Sequence, residues 1–296
     1  MRNIFLYWVG NEYKLIKILR RLIYLHSTNG TGYTVHLINH ENLAQYIPTL
    51  PKQFFQLKPA HQADYVRVYT VCTHGGIWLD ADTIVMGSLD GLFDMLEKGD
   101  GFFIRQNNEE LCNGVFGSRA DTVVMREWLQ AIDTRLEDST TLEFTELGAK
   151  FLNKKLEATP QDFDKYVLLN GLDNVYPVNW DRCVQEYVEA PYDHAKTLVR
   201  PFQPLVILVN SVYVKMEPLT EDTIWHGETP LAYFLKKSYW AGLKAYALLV
   251  LSYLVMALLV CGVLVWIGQQ PVVSKAVAPF RKWAGSLLKT GSTVKY

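Results

Sequence analysis

The chain has 296 residues, which is enough for one domain with a sizeable core and additional segments. Its 29 basic and 30 acidic residues leave a formal net charge of −1, and no basic stripe marks a nucleic-acid surface, so we expect no nucleic-acid partner. The four cysteines show no spacing typical of a disulfide framework, so the fold must rest on its core.

The first 80 residues alternate segments that favour strands with segments that favour helices. Residues 3–10 and 33–38 are apolar runs typical of strands, and residues 12–26 repeat apolar positions at helical spacing. A helix over about residues 60–73 and a short buried strand at 77–79 follow. This alternation predicts an α/β fold with a mostly parallel central sheet.

Two carboxylates follow the predicted strand at 77–79. They are Asp80 and Asp82, and the pair Gly75-Gly76 forms the turn that leads into the strand. Open α/β sheets bind ligands at the carboxyl ends of their strands, and carboxylate oxygens suit Mg²⁺ or Mn²⁺ shared with substrate phosphates. An Asp-x-Asp sequence also occurs by chance in loops, but this position favours a site for a divalent cation and a diphosphate.

Residues 60–86 resemble the sugar-nucleotide-binding region of the DxD glycosyltransferases of family 32. These enzymes are related to capsular-polysaccharide and clostridial glucosylating-toxin glycosyltransferases. In them an Asp-x-x-Arg helix precedes the motif Gly-Gly-x-Tyr/Trp-x-Asp-x-Asp, and this chain has both parts at Asp64–Arg67 and Gly75–Asp82. The resemblance extends more weakly over about residues 3–230. It implies a nucleotide-sugar fold of the GT-A type.

The resemblance also implies roles for the residues of the motif and of the first strand. Asp82 would bind the cation directly, and Asp80 would share contacts with the metal and with ribose or sugar. Asp64 and Arg67 would hold the donor sugar and its diphosphate, and Trp8 would stack on the base. Without the resemblance, Asp64 and Arg67 are equally explained as an i,i+3 ion pair, and Trp8 as a core residue.

Two later residues complete the expected site. Asn113 lies in a segment that resembles the part of these enzymes that lines the donor sugar, although it is also a common turn residue. His226 precedes Gly227 near the position where a late residue completes the cation's coordination, although it too could be a turn residue. Residues 145–149 depart from the Thr-Gly-Pro often found there in the families, which leaves the acceptor side open.

Together these expectations describe a metal-dependent glycosyltransferase that uses Mn²⁺ or Mg²⁺. The resemblance implies that a hexose moves from a UDP- or GDP-linked donor to a glycan or glycolipid acceptor with retention of configuration. The alternative is a catalytically inactive, membrane-tethered sugar-nucleotide-binding or scaffold protein. The intact pair Asp80 and Asp82 argues against that alternative.

Residues 245–267 contain no charged residue and exceed the roughly 20 residues that a transmembrane helix needs. We therefore predict a glycosyltransferase domain at 1–235, a transmembrane anchor at 236–268, and a basic tail at 269–296. The tail contains five basic residues and no acidic residue, a pattern that suits an amphipathic helix on an anionic membrane surface or a disordered tail.

The expected location is a membrane with a single pass near the C-terminus. The first strand starts almost at the first residue and resembles no signal peptide, so the catalytic domain is predicted to be cytosolic. Lysines flank both ends of the span, so the charge distribution leaves the orientation open. Cys261 within the span fits a reducing compartment.

Overall fold

The computed structural model describes residues 2–27, 32–106, 109–138, 141–201, 203–209 and 221–269. Two compact units are distinguished, Met1–Tyr246 and Ala247–Tyr296. The strands of the first unit are β1 (Arg2–Tyr7), β2 (Tyr33–Ile38), β3 (Gly76–Leu79), β4 (Thr83–Val85), β5 (Gly101–Arg105), β6 (Leu111–Ser118), β7 (Tyr166–Asn170) and β8 (Leu205–Ile207).

The helices connect these strands and cover the sheet. They are α1 (Lys14–Ser27), α2 (Leu43–Tyr46), α3 (Pro59–His74), α4 (Asp90–Lys98), α5 (Val123–Asp138), α6 (Ala149–Ala158), α7 (Gly171–Asn174), α8 (Ala195–Leu198), α9 (Glu221–His226) and α10 (Pro230–Gln269). Short helical turns occur at Phe54–Gln56, Pro160–Phe163, Trp180–Arg182, Gln185–Glu189 and Tyr192–His194.

The main sheet has six strands in the order β2-β1-β3-β6-β5-β7. β1 pairs in parallel with β2 and β3, and β5 pairs in parallel with β7. β6 pairs antiparallel with β3 and β5, so β6 is reversed and the other five strands of this sheet run in one direction. The predicted α/β fold with a mostly parallel central sheet is therefore confirmed.

Both faces of the sheet are buried, because successive side chains of a strand point to opposite faces. Phe5 and Trp78 pack into a core with α3 and α5, whereas Ile4 and Ile77 pack into a core with α4. The sheet is thus the middle of three layers. Strands that are covered on both faces are apolar without alternation, as the sequence of β1 shows.

α1 is amphipathic, as the spacing of its apolar residues predicts. Its buried residues form one stripe, and its lysines are exposed. The stripe packs into a third core with β4 and β8, and this core also includes Ile224 of α9 and Leu231, Phe234 and Leu235 at the start of α10. The first turns of α10 therefore belong to the globular unit.

α10 is long and apolar enough to cross a membrane by length and composition. The stretch Pro230–Val263 contains a window with a mean hydropathy of 2.4, and none of that window is buried. Large apolar side chains are exposed there, for example Leu254 at 57% and Leu258 at 72%. The predicted span at 245–267 lies within this helix, and the predicted tail lies outside the described residues beyond Gln269.

Candidate functional site

The two glycines before β3 determine how the chain enters the site. Gly75 ends α3, with its N–H donating to Val71 O over 3.0 Å, and has φ of 65°. Gly76 has φ of 142°, and a Cβ there would lie 2.5 Å from Asn3 O on the neighbouring strand. Because side chains exclude both conformations, the glycine pair is what allows β3 to start directly after α3.

The segment from Asp80 to Asp82 is held at both ends. At the first end, the N–H of Asp80 donates to Gly114 O over 2.8 Å, which continues the pairing of β3 with β6. At the second end, the N–H of Leu208 donates to Asp82 O over 2.9 Å, which continues the pairing of β4 with β8. The two acidic residues therefore lie at the carboxyl end of β3, where the chain leaves the main sheet.

Arg67 links the acidic residues of the site. Its Nη2 lies 3.2 Å from Asp80 Oδ1 and its Nε lies 3.4 Å from Asp64 Oδ1. Nη1 donates to Asn113 O, and the guanidinium lies over the ring of Trp78 at 5.1 Å. The N–H of Nε donates to Ala63 O over 3.3 Å. Among the residues that the structure describes, these contacts use one N–H of Nη1 and one of Nη2, and each of these two nitrogens has a second N–H.

Asp64 is buried, with only 7% of its side chain exposed. Its Oδ1 accepts a hydrogen bond of 2.8 Å from Asn113 Nδ2. The pKa of this carboxyl is raised to about 6, chiefly by burial; Arg67 and Asn113 oppose the shift, and the charge of Asp80 adds to it. Asp64 is thus held in a site that has too little positive charge for its ionised form.

Asp80 is the member of this network that reaches the surface. Its side chain is 31% exposed, compared with 7% for Arg67. Its Oδ1 accepts a 2.8 Å hydrogen bond from Trp78 Nε1. The protein around it raises its pKa by desolvation, while Arg67 and Trp78 act in the opposite direction. Two carboxylates therefore share one guanidinium, and both are easier to protonate than usual.

Gly114 leaves the space that the Asp80 carboxylate occupies. A Cβ at this position would lie 2.9 Å from Asp80 Oδ2 and 2.8 Å from the hydroxyl of Tyr176. Tyr176 is half-buried, and desolvation raises its pKa well above its ordinary value. The sequence assigns no role beside Asp80 to Gly114 or Tyr176, because these residues come near Asp80 only when distant segments meet.

We expect Gly114→Ala to displace the Asp80 carboxylate, since the added Cβ would lie closer than 3.0 Å to Asp80 Oδ2 and to the Tyr176 hydroxyl, so that a neighbour must shift. The variant should lose donor turnover and about 1–3 kcal/mol of stability, the usual cost of overpacking. Thermal unfolding and a donor-hydrolysis assay measure the two effects. Gly91→Ala is the matched control, because nothing lies within 4 Å of a Cβ at that helical glycine. Full turnover in Gly114→Ala would contradict this reading of the site.

Asp82 and Trp8 lie on the side of the site nearest to α1. The ring of Trp8 packs edge-on against Tyr13, with the centroids 5.9 Å apart. Burial, and then the charge of Asp82, raise the pKa of Tyr13 to about 12. Trp8 Nε1 and the Tyr13 hydroxyl are buried and have no hydrogen-bond partner in the described part of the chain. Tyr13 is a residue of this region that the sequence motifs did not indicate.

The structure thus joins Asp64, Arg67, Asp80 and Asn113 in one network of direct contacts. His226 is exposed at the end of α9. Within the described residues, no group of three or more His, Cys, Asp or Glu side chains is arranged to hold a metal ion. The assignment of His226 as a third metal ligand therefore stays a prediction.

Residues 1–120 match the family model described as capsular polysaccharide synthesis protein. The matched part runs from β1 through β6 and includes every site residue discussed above except Tyr176 and His226. None of the curated proteins compared with the chain matches it.

Solved glycosyltransferase structures are similar at low identity. One is involved in the glycosylation of the major capsid of PBCV-1, with 13% identity, coverage of 69% of this chain and 92% of that chain, and a TM-score of 0.40. GlyE from Streptococcus pneumoniae TIGR4 has 14% identity, coverage of 87% and 65%, and a TM-score of 0.44. The galactosyltransferase LgtC, in complex with donor and acceptor sugar analogues, has 12% identity, coverage of 81% and 95%, and a TM-score of 0.42.

The family match covers the segment in which the Asp-x-x-Arg helix and the Gly-Gly motif were identified from sequence. Residues 1–120 of the chain are therefore similar to the capsular polysaccharide synthesis proteins and to the glycosyltransferases of family 32.

Proposed function

We propose that this chain is a membrane-anchored, metal-dependent, retaining glycosyltransferase. It moves a hexose from a UDP- or GDP-linked donor to a glycan or glycolipid acceptor. The observation that supports this most directly is the network in which Arg67 orients Asp64 and Asp80 at the carboxyl end of the sheet. Such strand ends are where α/β folds bind nucleotide ligands.

The residues fit a divalent cation. Asp80 Oδ1 accepts from Trp78 and contacts Arg67, whereas Oδ2 has no hydrogen-bond donor among the residues that the structure describes. Asp82 would be the direct ligand beside it, and His226 is our proposed third ligand. A bound Mn²⁺ or Mg²⁺ would supply positive charge beside the diphosphate leaving group.

The other side chains position the donor. Asn113 and Asp64 form a hydrogen-bonded pair next to Arg67, so their remaining oxygen atoms can accept from sugar hydroxyls. The second N–H groups on Arg67 Nη1 and Nη2 can donate to phosphate oxygens as the leaving group gains charge. Trp8 offers a ring face for the base. These contacts would hold the anomeric carbon beside the acceptor hydroxyl, as positioning by an enzyme requires.

The proposed anchor is α10. It has the length and the apolar composition that a membrane span requires, and its apolar side chains are exposed. A soluble protein rarely exposes so large an apolar surface. We place one pass of the chain in a membrane, with the catalytic domain in the cytosol.

The proposed activity is tested with the full chain in detergent, a panel of UDP- and GDP-sugars, and Mn²⁺. The readout is release of UDP or GDP, and Asp80→Asn/Asp82→Asn is the control. Metal-dependent release from one donor, lost in the control, is the expected result. Donor binding without release of UDP or GDP, with or without a supplied glycan acceptor, would contradict the proposed transferase activity and favour a sugar-nucleotide-binding scaffold.

We expect Mn²⁺ to stabilise the fold more at about pH 7.5 than at about pH 5, because protons compete with the metal for its ligands. At a concentration a hundredfold above Kd the gain at the higher pH is about 2.7 kcal/mol. Asp80 is easier to protonate than an ordinary aspartate because its pKa is raised by desolvation, and nearby Asp64, whose pKa is raised to about 6, is mostly protonated at the lower pH.

The unfolding midpoint, measured with and without Mn²⁺ at both pH values, checks this expectation. Asp82→Asn should abolish the gain. Asp94→Asn should keep it, because Asp94 lies on α4 and pairs with Lys98. An equal gain in both variants would show that Mn²⁺ binds elsewhere.

A further inference from the structure

The last turn of α1 is attached to the early part of α10. His26 Nε2 lies 3.0 Å from Ser238 O and 3.3 Å from Ser238 Oγ, and both residues are buried. One turn later, a Cβ on Gly242 would lie 2.7 Å from Leu25 Cγ, so the glycine lets the two helices approach closely. All of these residues belong to the globular unit that ends at Tyr246.

The residues of α10 at this contact directly precede the apolar segment. Lys244 is the last charged residue before the uncharged run at 245–267. Tyr239, Trp240 and Tyr246 are exposed, Trp240 by 66%. Aromatic rings and lysines next to an apolar span are typical of the headgroup region of a membrane. With the proposed anchor in a bilayer, these residues would lie at that surface.

α1 presents a matching surface beside them. Its exposed residues are Lys14, Lys17, Arg21 and Tyr24, which are spaced by three, four and three residues and so share one face of the helix. α1 contains no acidic residue, and none of its three exposed cations forms an ion pair with the residues that the structure describes. Arg21 and Tyr24 lie in the half of α1 that contacts α10. Cations and a tyrosine in this position suit a lipid headgroup layer.

The candidate site lies at the other end of α1. α1 begins after the carboxyl end of β1 and ends before the amino end of β2, which runs parallel to β1. Its 14 residues span about 21 Å at the rise of an α-helix. Asp80 follows the carboxyl end of β3, which is parallel to β1. The site therefore lies at the carboxyl ends of the parallel strands, and the contact with α10 lies at their amino ends.

We propose that the C-terminal half of α1, with Arg21 and Tyr24, forms together with Tyr239 and Trp240 of α10 one surface that rests on the lipid headgroup layer. This inference depends on the proposed anchor.

Spin labels on the full chain test this geometry in vesicles of phosphatidylcholine and phosphatidylglycerol. The background is Cys261→Ser, because Cys72, Cys112 and Cys183 are buried. One label replaces an aromatic residue at the end of α1 (Tyr24→Cys). A matched label replaces an exposed aromatic residue near the site edge (Phe55→Cys), whose ring lies 5.3 Å from that of His40, just after β2.

The accessibility of each label to oxygen, relative to a water-soluble nickel chelate, reports its depth. We expect a ratio several-fold higher for the label at position 24 than for the label at position 55, whose ratio should equal that in detergent-free water. A third label, Val255→Cys, reports on the span itself. Equal ratios at positions 24 and 55, or a higher ratio at 55, would overturn the proposal.

The third label also separates the two possible failures. A high ratio at position 255 together with a water-like ratio at position 24 overturns the placement of α1 but leaves the proposed anchor in place. A water-like ratio at position 255 overturns the anchor and, with it, the placement of α1. Neither result bears on donor hydrolysis, which is measured separately on the same chain.

Discussion

Asp82→Ala should reduce donor turnover by at least about a hundredfold, the range found when a group that stabilises developing charge is removed. The fold should stay intact, because Asp82 follows a strand end and its backbone carbonyl, which accepts from Leu208 N–H, is unchanged by the substitution. Donor hydrolysis with Mn²⁺ and the thermal unfolding midpoint measure the two effects.

Asp94→Ala is the matched control for this experiment. Asp94 is an exposed aspartate on α4 that pairs with Lys98, so its loss should change turnover little. Turnover close to that of the unchanged chain in Asp82→Ala would remove Asp82 from the proposed metal site. A large fall in the unfolding midpoint would instead assign Asp82 a structural role.

Asp64→Asn should stabilise the protein at neutral pH while it lowers turnover. The pKa of Asp64 is raised from 3.8 to about 6, chiefly by burial. The folded state therefore keeps this proton at pH values where the unfolded chain has released it. Stability on account of this group is highest below the unfolded pKa, falls as the pH rises toward about 6, and is constant above it.

The size of the effect follows from the same shift. A change of about two pKa units corresponds to at most about 3 kcal/mol, which the neutral amide avoids. The gain of Asp64→Asn in the unfolding midpoint should therefore be present at about pH 8 and absent at about pH 4. The same gain at both pH values, or destabilisation at about pH 8, would contradict the buried-charge explanation. Asp94→Asn, again on the surface, is the matched control.

A buried carboxylate that costs stability, as expected for Asp64 but not for Asp94 on the surface, is characteristic of functional sites. If Asp64→Asn is more stable and less active, the carboxylate serves chemistry at a cost in stability, as is common at active sites. Arg67 alone cannot compensate both Asp64 and Asp80, and a bound cation would complete the balance of charge. The expected trade between stability and turnover in Asp64→Asn is thus a second test of the proposed site.

Much of the fold was predictable because its signals are local. Apolar residues at helical spacing predicted α1 at residues 12–26, and the structure has Lys14–Ser27. The predicted helix over about 60–73 is α3, Pro59–His74. Such patterns depend on residues within a few turns of one another, so they can be read without knowledge of distant contacts. The same holds for the apolar run inside α10.

The site could be predicted only in part. The motif located Asp64, Arg67, Asp80 and Asp82 but left open whether Arg67 forms an ion pair or binds phosphate. In the structure Arg67 contacts both Asp64 and Asp80, so the i,i+3 ion pair is one element of a larger network. That geometry requires the helix α3 and the end of β3 to meet across the core.

The sequence by itself determined the alternation of strands and helices, the two-glycine turn before β3, the acidic pair at the strand's end and the apolar run of α10. Each of these depends on neighbours in the chain and on their backbone preferences. Only the tertiary structure decided that Asn113 bonds Asp64, that Gly114 lies against Asp80 and Tyr176, and that Gly242 lets α10 pack on α1. These contacts join residues far apart in sequence, and burial sets their energies, so no local pattern encodes them.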